Sequence, residues 1–375
     1  MSQLTFTGDG KEIAAALGHL SASIGKNSTL PILSCYALEL IDGQLIAKGT
    51  DLDVQHSIAL PVSIESAGPG ACAAAGLLTS LLARCNGDGA RVTIAGGHLT
   101  IVAGGRKASM NVLPLVEFPA THPDFDGWVS LEGARLAAAI RGIAFATSTE
   151  ETRYVLNGMY LSGDGLTVAT DGRRLAQVRY TDADPIPVLA GVIVPNKSLA
   201  PIADLLERHP RVEVAGDASG ICFRAQGESY FTKVIEGSYP NFKQVIPNFH
   251  RPVRVSVERL AMQKALAWAK LYRTSKDTSA KLTARDGHLT IEVFSPEIGE
   301  AEEVLPTVRD SGEMRVALNI TYLEQMVNRE GGDYFTLECE PETSDHNKGV
   351  VLGPLKIIEE NEDFLGVLMP MRLAQ

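Results

Sequence analysis

Cysteine is scarce and scattered in this chain: Cys35, Cys72, Cys85, Cys222 and Cys339, odd in number and with no CxxC pair. That pattern excludes a disulfide framework or a cysteine-built zinc site and fits a reducing compartment. Long apolar runs are missing as well. The uncharged stretch nearest to membrane-span length, residues 66–83, contains Pro69, Gly68, Gly70 and Gly76, and turns apolar only near Leu77. It reads as a loop followed by a short helix, and no membrane partner is expected. The opening MSQLTFTGDG has neither a basic start nor an apolar core, so no signal peptide is expected and the chain should be cytoplasmic.

Positive charge is also in deficit. Lys and Arg number 34 against 45 Asp and Glu, a net charge of −11. As an average this counts against nucleic acid as a partner. A chain can still be acidic outside and basic on one restricted surface, so the distribution decides. Catalytic signatures are absent too: no GxxxxGK, no GxSxG, no HExxH and no GxGxxG opening a helix. The eight histidines are dispersed, so no metal site or cofactor is expected. Asp51 and Asp53 form a DxD that could hold a divalent ion or serve acid chemistry. The preferred role for Asp51 is to hydrogen-bond its own turn, because Asp171 occupies the equivalent corner of a repeat.

That repeat is what the chain does contain. The stretch Leu166-Thr-Val-Ala-Thr-Asp-Gly-Arg-Arg-Leu-Ala176 reads as a strand, a polar corner and a second strand opening on two arginines. It is echoed by Gln44 to Asp53 and, more faintly, by His288 to Pro296. The turns Asp42-Gly43, Asp164-Gly165 and Asp286-Gly287 follow one another at intervals of 122 residues. Each separates two strand-like runs, a hairpin signature; the leading runs are 35–40, 158–161 and 280–284.

Upstream of each hairpin lies a helical pattern. Ile13, Leu17, Leu20 and Ile24 form one face, and Leu136, Ile140 and Ile143 do the same within residues 133–147. A third, over 257–272, is apolar on more than one side. Downstream helices are expected over 77–85, 197–209 and 320–329; Pro201 fits the second of these only in its first turn. Short alternating strands such as 91–94 and 211–214 follow. Phe118-Pro119 and Tyr239-Pro240 mark joints, each followed by a polar, proline-bearing linker. The expectation is an α+β chain of three similar domains, 1–127, 128–251 and 252–375, each with two helices packed on antiparallel sheet.

The basic residues gather on those helices. Arg141 lies round the cylinder from Leu136, Ile140 and Ile143; Lys197 opens the fourth helix; Lys264, Lys270, Arg273 and Lys276 crowd the fifth and its exit. Lys11, Lys26 and Arg84 lie on or beside the first two. Each alone is an ordinary solvated charge, but helices repeated around a pseudo-symmetric body could bring them to one surface. The tail from Phe364 to Leu373 is unusually apolar for a terminus. It reads either as a last edge strand of the third domain or as a segment lining an adaptable, methionine-rich groove.

Six segments together resemble the bacterial DNA polymerase III beta subunit, the sliding-clamp family. They are Ser28-Thr-Leu-Pro-Ile-Leu33, Arg153-Tyr-Val-Leu-Asn-Gly158, Ala169 to Ala176, Val192-Ile-Val-Pro-Asn-Lys197, Glu236-Gly-Ser-Tyr-Pro-Asn-Phe242 and Met369-Pro-Met-Arg-Leu373. Their order and spacing run over nearly the whole chain. The resemblance implies DNA-clamp domains forming half of a ring, which a head-to-tail homodimer closes around duplex DNA with helices lining the hole. It implies no catalytic residue, and as partners double-stranded DNA, a second copy, the polymerase III alpha subunit, the clamp loader and other proteins carrying a clamp-binding peptide. The DNA-facing residues it implies are Lys26, Arg84, Arg141, Tyr154, Lys197, Lys264, Lys270 and Arg273.

It further implies a pocket between the second and third domains that takes those peptides. Carried onto this chain, the wall is Leu156, Thr170, Gly172, Arg173, Arg174, Leu175, Pro240, Val245, Asn319, Tyr322, Val367, Met369, Pro370, Met371 and Arg372. The chain departs from the family at Arg173, where histidine is common, and at Gln244, where arginine is frequent. Asn27 and Asn196 stand where basic residues are common, and Ala374-Gln375 extend a terminus that often ends at the leucine. Two rival readings stay open at the level of sequence: an enzyme using Asp51, Asp53 or Asp171, and a repeat scaffold that binds peptides without encircling DNA.

Overall fold

The computed structural model describes residues 3–25, 28–85, 89–119, 124–180, 186–274, 278–329, 331–340, 354–359 and 364–371. Its contacts fall into two compact units, one of residues 1–137 and 197–234, the other of 138–196 and 235–375. Six α-helices occur among the described residues: α1 (Gly10–His19), α2 (Ala75–Leu82), α3 (Gly133–Ile143), α4 (Asn196–Arg208), α5 (Arg259–Ala269) and α6 (Ile320–Val327). No helix among the described residues is long and apolar enough to cross a membrane.

The first unit carries a 13-stranded sheet. At its centre the hairpin Cys35–Ile41 and Gln44–Thr50 turns on Asp42 (φ 49°) and Gly43 (φ 80°), the two left-handed residues a tight two-residue turn demands. The chain then rounds a corner into Val54–Ala59. That strand pairs on its far side with Glu228–Thr232, in register Val54↔Thr232 and His56↔Tyr230. Ile13, Leu17 and Leu20 of the α1 face are fully buried in the main core, with Ile24 packed at its margin.

The second unit repeats the same moves. Gly158–Leu161 and Leu166–Thr170 form the hairpin, the corner leads into Arg174–Arg179, and this strand pairs with Phe364–Leu368 in register Arg174↔Leu368. The joint between Val54–Ala59 and Glu228–Thr232 is thus made a second time, by the next repeat. These strands belong to a nine-stranded sheet; Ser279–Arg285, His288–Ser295, Gly299–Pro306 and Met314–Asn319 form a separate four-stranded sheet.

Helix pairing follows the repeat too. A Cβ on Gly10, at the start of α1, would lie 2.6 Å from the Leu82 carbonyl oxygen. One on Gly133, at the start of α3, would lie 2.6 Å from that of Leu206. Both positions exclude a side chain because the paired helix backbone comes too close. The third copy solves the contact differently. Arg259 opens α5 and its buried guanidinium donates to the carbonyls of Val327 (2.7 Å) and Gly332 (2.6 Å) and to Glu359.

Three expectations are corrected. The apolar tail is not an edge strand: Phe364–Leu368 lies inside the sheet, between Arg174–Arg179 and Leu355–Ile358. Val257 is not helical; it is a fully buried strand residue in Val253–Glu258, and α5 begins only at Arg259. Pro201 sits inside α4 rather than in its first turn, because the helix starts at Asn196; the proline lacks the N–H that would meet the Lys197 carbonyl.

Candidate functional site

The site grows from the corner Thr170-Asp171-Gly172-Arg173-Arg174. Gly172 takes φ 84°, a left-handed value that turns the chain between two paired strands. Thr170 Oγ1 donates to the Arg174 carbonyl (2.5 Å) and accepts from Gly172 N–H (3.1 Å). Asp171 Oδ1 accepts from the N–H groups of Arg173 (2.9 Å) and Arg174 (3.0 Å). The first unit holds the same corner bond for bond: Thr50 Oγ1 to Val54 O at 2.6 Å, Leu52 N–H to Thr50 Oγ1 at 3.0 Å, and Asp53 and Val54 N–H to Asp51 Oδ1 at 3.0 Å each. Both aspartates therefore tie their own turn. Leu52 takes φ 81° where the second copy has glycine.

Arg174 anchors the corner. Its side chain is 7 % exposed, donates to Asp171 Oδ2 (3.1 Å), to Gln325 Oε1 and to the Phe145 carbonyl, and lies over the Tyr322 ring at 4.3 Å. A planar guanidinium can satisfy this divergent set of acceptors while stacking; an ammonium cannot. On the opposite face of the sheet, Leu175 packs with Leu166, Val168, Phe242 and Val367 in one apolar cluster. Leu175 lies directly across from Val367, so strand register alone brings the corner and the chain's end together.

The end segment is then tied down by its backbone. Met369 N–H donates to the Arg173 carbonyl (3.0 Å), and Met371 N–H to that of Ala317 (2.8 Å). Asn319 caps α6, its Oδ1 accepting from Thr321 N–H (2.9 Å) and Tyr322 N–H (3.3 Å). Tyr322 raises the pKa of the exposed Arg173 guanidinium. Met369 and Val245 are exposed, Leu156 is buried, Pro240 is exposed and Pro370 half-buried. The arrangement sets exposed apolar groups, Met369 and Val245, beside a buried apolar cluster, chemistry that suits a short apolar peptide. Arg372 lies outside the described residues.

Sequence reasoning missed part of this apolar cluster. Tyr160 stacks on Tyr239 at 4.9 Å and 8°, and Phe242, Ile246 and Leu365 complete the cluster. The aromatics on either side of Pro240 were the available signal. Gln325 and Phe145, which hold Arg174, carried none, since each is brought in by a distant helix end.

The basic residues are more occupied than their number suggests. In the first unit Lys197 Nζ bridges Asp51 Oδ2 and Asp53 Oδ2, 2.9 Å from each, and Lys233 reaches Asp53 Oδ1 at 3.2 Å. The hydrogen bond from Lys197 holds the Asp53 carboxyl below its usual range. Arg84 donates to the Ser80 carbonyl at 2.7 Å. In the second unit Lys270 pairs with Glu324 (2.6 Å) and Arg273 donates to Thr321 Oγ1 (2.7 Å), while Arg141, Tyr154 and Lys264 are exposed. Lys26, Asn27 and Lys276 lie outside the described residues. Among the described residues no group of three or more His, Cys, Asp or Glu could hold a metal ion.

Comparison with known proteins covers the chain from end to end. Residues 4–122, 130–241 and 243–334 match the N-terminal, central and C-terminal domain models of the DNA polymerase III beta subunit. The beta sliding clamp of Caulobacter vibrioides is 30% identical over 321 residues, covering 82% of this chain and 86% of that one. The beta sliding clamp of Escherichia coli K12 is 29% identical over 360 residues, covering 90% and 91%. Among solved structures, the sliding clamp of Bartonella birtlesii bound to griselimycin superposes with a TM-score of 0.88 at 27% identity, covering 99% of this chain and 100% of that one.

Proposed function

This chain belongs to the bacterial DNA polymerase III beta-subunit family, the non-catalytic sliding clamps of that polymerase, and from this we propose that it works as a head-to-tail homodimeric ring around duplex DNA. The observation that carries the ring is the repeated joint. Each of the first two repeats contributes a post-corner strand, Val54–Ala59 or Arg174–Arg179, that pairs with the last strand of the following repeat. Among the described residues the third repeat's equivalent, Gly299–Pro306, has a partner on one side only. Among them too, the first repeat's last strand, Arg106–Pro114, pairs on its second side only over residues 112–114, which leaves 106–111 open.

One chain therefore carries both halves of an unmade third joint, and an unpaired strand edge is a template for another chain. The halves are complementary: Arg106 and Lys107 on one, Glu300, Glu302 and Glu303 on the other. Trp268, Leu271 and Phe294, all exposed, add apolar surface in the unit that bears the acidic edge. Reversing Arg106 and Lys107 to Glu is expected to give a monomer in sedimentation. Mixing that variant with one reversed to Lys at Glu300, Glu302 and Glu303 should restore a mixed dimer with one native joint and one charge-reversed joint. A dimer in the first variant alone would refute this edge pairing.

In this reading the ring comprises three domains per chain, 1–127, 128–251 and 252–375. Arg84, Arg141, Tyr154, Lys197, Lys264, Lys270 and Arg273, with Lys26, would face the duplex. Contacts to backbone phosphate carry no base information and weaken with salt, which suits a ring that slides. Retention comes from topology rather than affinity, and tethering raises the polymerase's effective concentration at the primer end. Polymerase, clamp loader and other partners would dock short peptides on the floor built by Leu175 and Val367, with the rest of the carried-over wall around it. Burying two or three apolar anchors at about 1.5–3 kcal/mol each, less ordering costs, corresponds to roughly micromolar affinity. The compartment is the cytoplasm.

The test is topological. Loaded by a clamp loader on a nicked circle, the protein should remain bound at moderate salt and leave within minutes once the circle is linearised. Equal retention on circle and linear DNA would defeat encirclement and favour a scaffold that binds without enclosing.

A further inference from the structure

The corner of the first unit carries a carboxylate that its turn does not need. The Asp53 backbone N–H donates to Asp51 Oδ1 (3.0 Å), but among the described residues the Asp53 side chain bonds only two lysines. Lys197 Nζ lies 2.9 Å from Asp53 Oδ2 and 2.9 Å from Asp51 Oδ2, and Lys233 Nζ lies 3.2 Å from Asp53 Oδ1. The second unit closes the same corner with Arg173 at the matching place, so the turn forms without an acid there. The backbone tie is shared as well: Lys233 N–H donates to the Asp53 carbonyl (2.8 Å) as Met369 N–H does to that of Arg173 (3.0 Å). The three charged groups stay open to water, Lys197 being 43 % exposed, Lys233 52 % and Asp53 53 %. An ammonium between two anionic oxygens is held as it would be by a backbone phosphate.

We propose that Asp53 is a brake on DNA contact, an internal phosphate substitute that keeps Lys197 and Lys233 from gripping the backbone while the ring slides. This rests on the reading of Lys197 as a residue that faces the duplex. A phosphate takes either lysine only by displacing Asp53, so each contact forms at a reduced net gain. Neutralising Asp53 leaves Lys197 one carboxylate, Asp51, and leaves Lys233 none among the described residues. The same unit supplies a matched contrast in Lys48 and Glu39, paired at 2.6 Å. Their strand neighbours Leu38, Leu45 and Ala47 point into the core that α1 covers, so alternation puts this pair on the sheet face away from the helices. Freeing Lys48 adds the same charge without adding it beside a helix.

The experiment compares the full chain with Asp53→Asn and Glu39→Gln, using fluorescence anisotropy on a short labelled duplex between about 50 and 200 mM salt. Asp53→Asn should bind about two- to fivefold tighter at the low end. Its plot of log affinity against log salt should steepen by roughly 1 to 2, one or two phosphates newly neutralised. Adding Lys197→Ala and Lys233→Ala to Asp53→Asn should abolish the gain, and Glu39→Gln should match the parent. An equal gain in Glu39→Gln would assign the effect to net charge and overturn the brake. So would parent-like binding by Asp53→Asn, or a gain that survives loss of both lysines. The parent's release from linearised circles is scored beside these titrations. If it leaves linear DNA while Asp53→Asn binds as the parent does, the ring stands and the brake falls; if it is retained equally on both forms, the ring falls and the brake with it.

Discussion

Replacing Glu228 with alanine is expected to cost the first unit about 3–5 kcal/mol, because it strips the partner from several buried groups at once. The Glu228 side chain is 3 % exposed and receives His56 Nε2 at 2.7 Å, His209 Nε2 at 2.9 Å and the Arg208 guanidinium. It stands at the first residue of Glu228–Thr232, directly in the joint to Val54–Ala59 that the fold makes between repeats. His56 is equally buried, and among the described residues its Nδ1 has no partner and its one side-chain hydrogen bond is to this carboxylate. At about 2–4 °C per kcal/mol for a body of this size, the first calorimetric transition should fall by roughly 10 °C. A change below 2 °C would show the cluster to be dispensable.

The same carboxylate makes stability depend on acid. Burial alone would raise the Glu228 pKa, but hydrogen bonds from His56, Arg208 and His209 outweigh it and leave the group well below the ordinary carboxylate range. A depressed folded-state pKa adds stability that is complete above the unfolded value, about 4.3, and drains away as pH falls through the folded one. His19, Arg208 and Asp204 also stand in this electrostatic neighbourhood, and burial followed by Arg208 lowers the His19 pKa. The decisive measurement is the difference between the parent and Glu228→Gln. The gap in melting temperature should be widest near neutral pH and shrink below about pH 4; a gap independent of pH would assign the loss to packing alone.

Replacing Arg174 with alanine is the second large effect expected. The substitution removes donors from Asp171, Gln325 and the Phe145 carbonyl, together with the stack on Tyr322. A loss of about 2–4 kcal/mol in the second unit follows from breaking one buried charged network. The corner, Tyr322 and the strand carrying Leu175 would lose their common tether, so affinity for an apolar peptide should fall at least tenfold by calorimetric titration. Arg174→Lys should not rescue it, since a point charge on a flexible stem cannot reproduce both the fork and the stack. Parent-like binding by the lysine variant would reduce Arg174 to a simple positive charge.

Much of the molecule could be read from local chemistry. Asp42-Gly43 and Asp286-Gly287 encode tight turns through backbone preference, and the Thr-Asp corner encodes its own hydrogen bonds within five residues. The α1 face at Ile13, Leu17 and Leu20 encodes burial through a 3.6-residue period. Where local signals conflicted, reading stopped. Val257 suits a strand or a helix equally well, and the sheet decides by pairing it with Phe335. Pro201 sits where propensity disfavours it, in a helix whose apolar face is buried nonetheless.

By itself, then, the amino-acid order determined the repeating unit with its turns and corners, because each depends on residues close together along the chain. Only the tertiary structure decided that the apolar tail would be an inner strand beside Arg174–Arg179, that Lys197 would spend its charge on Asp51 and Asp53, and which two strand edges would stay open. Those outcomes depend on which distant segments come into register, and register is set by burying whole sheet faces together rather than by the preference of any single residue.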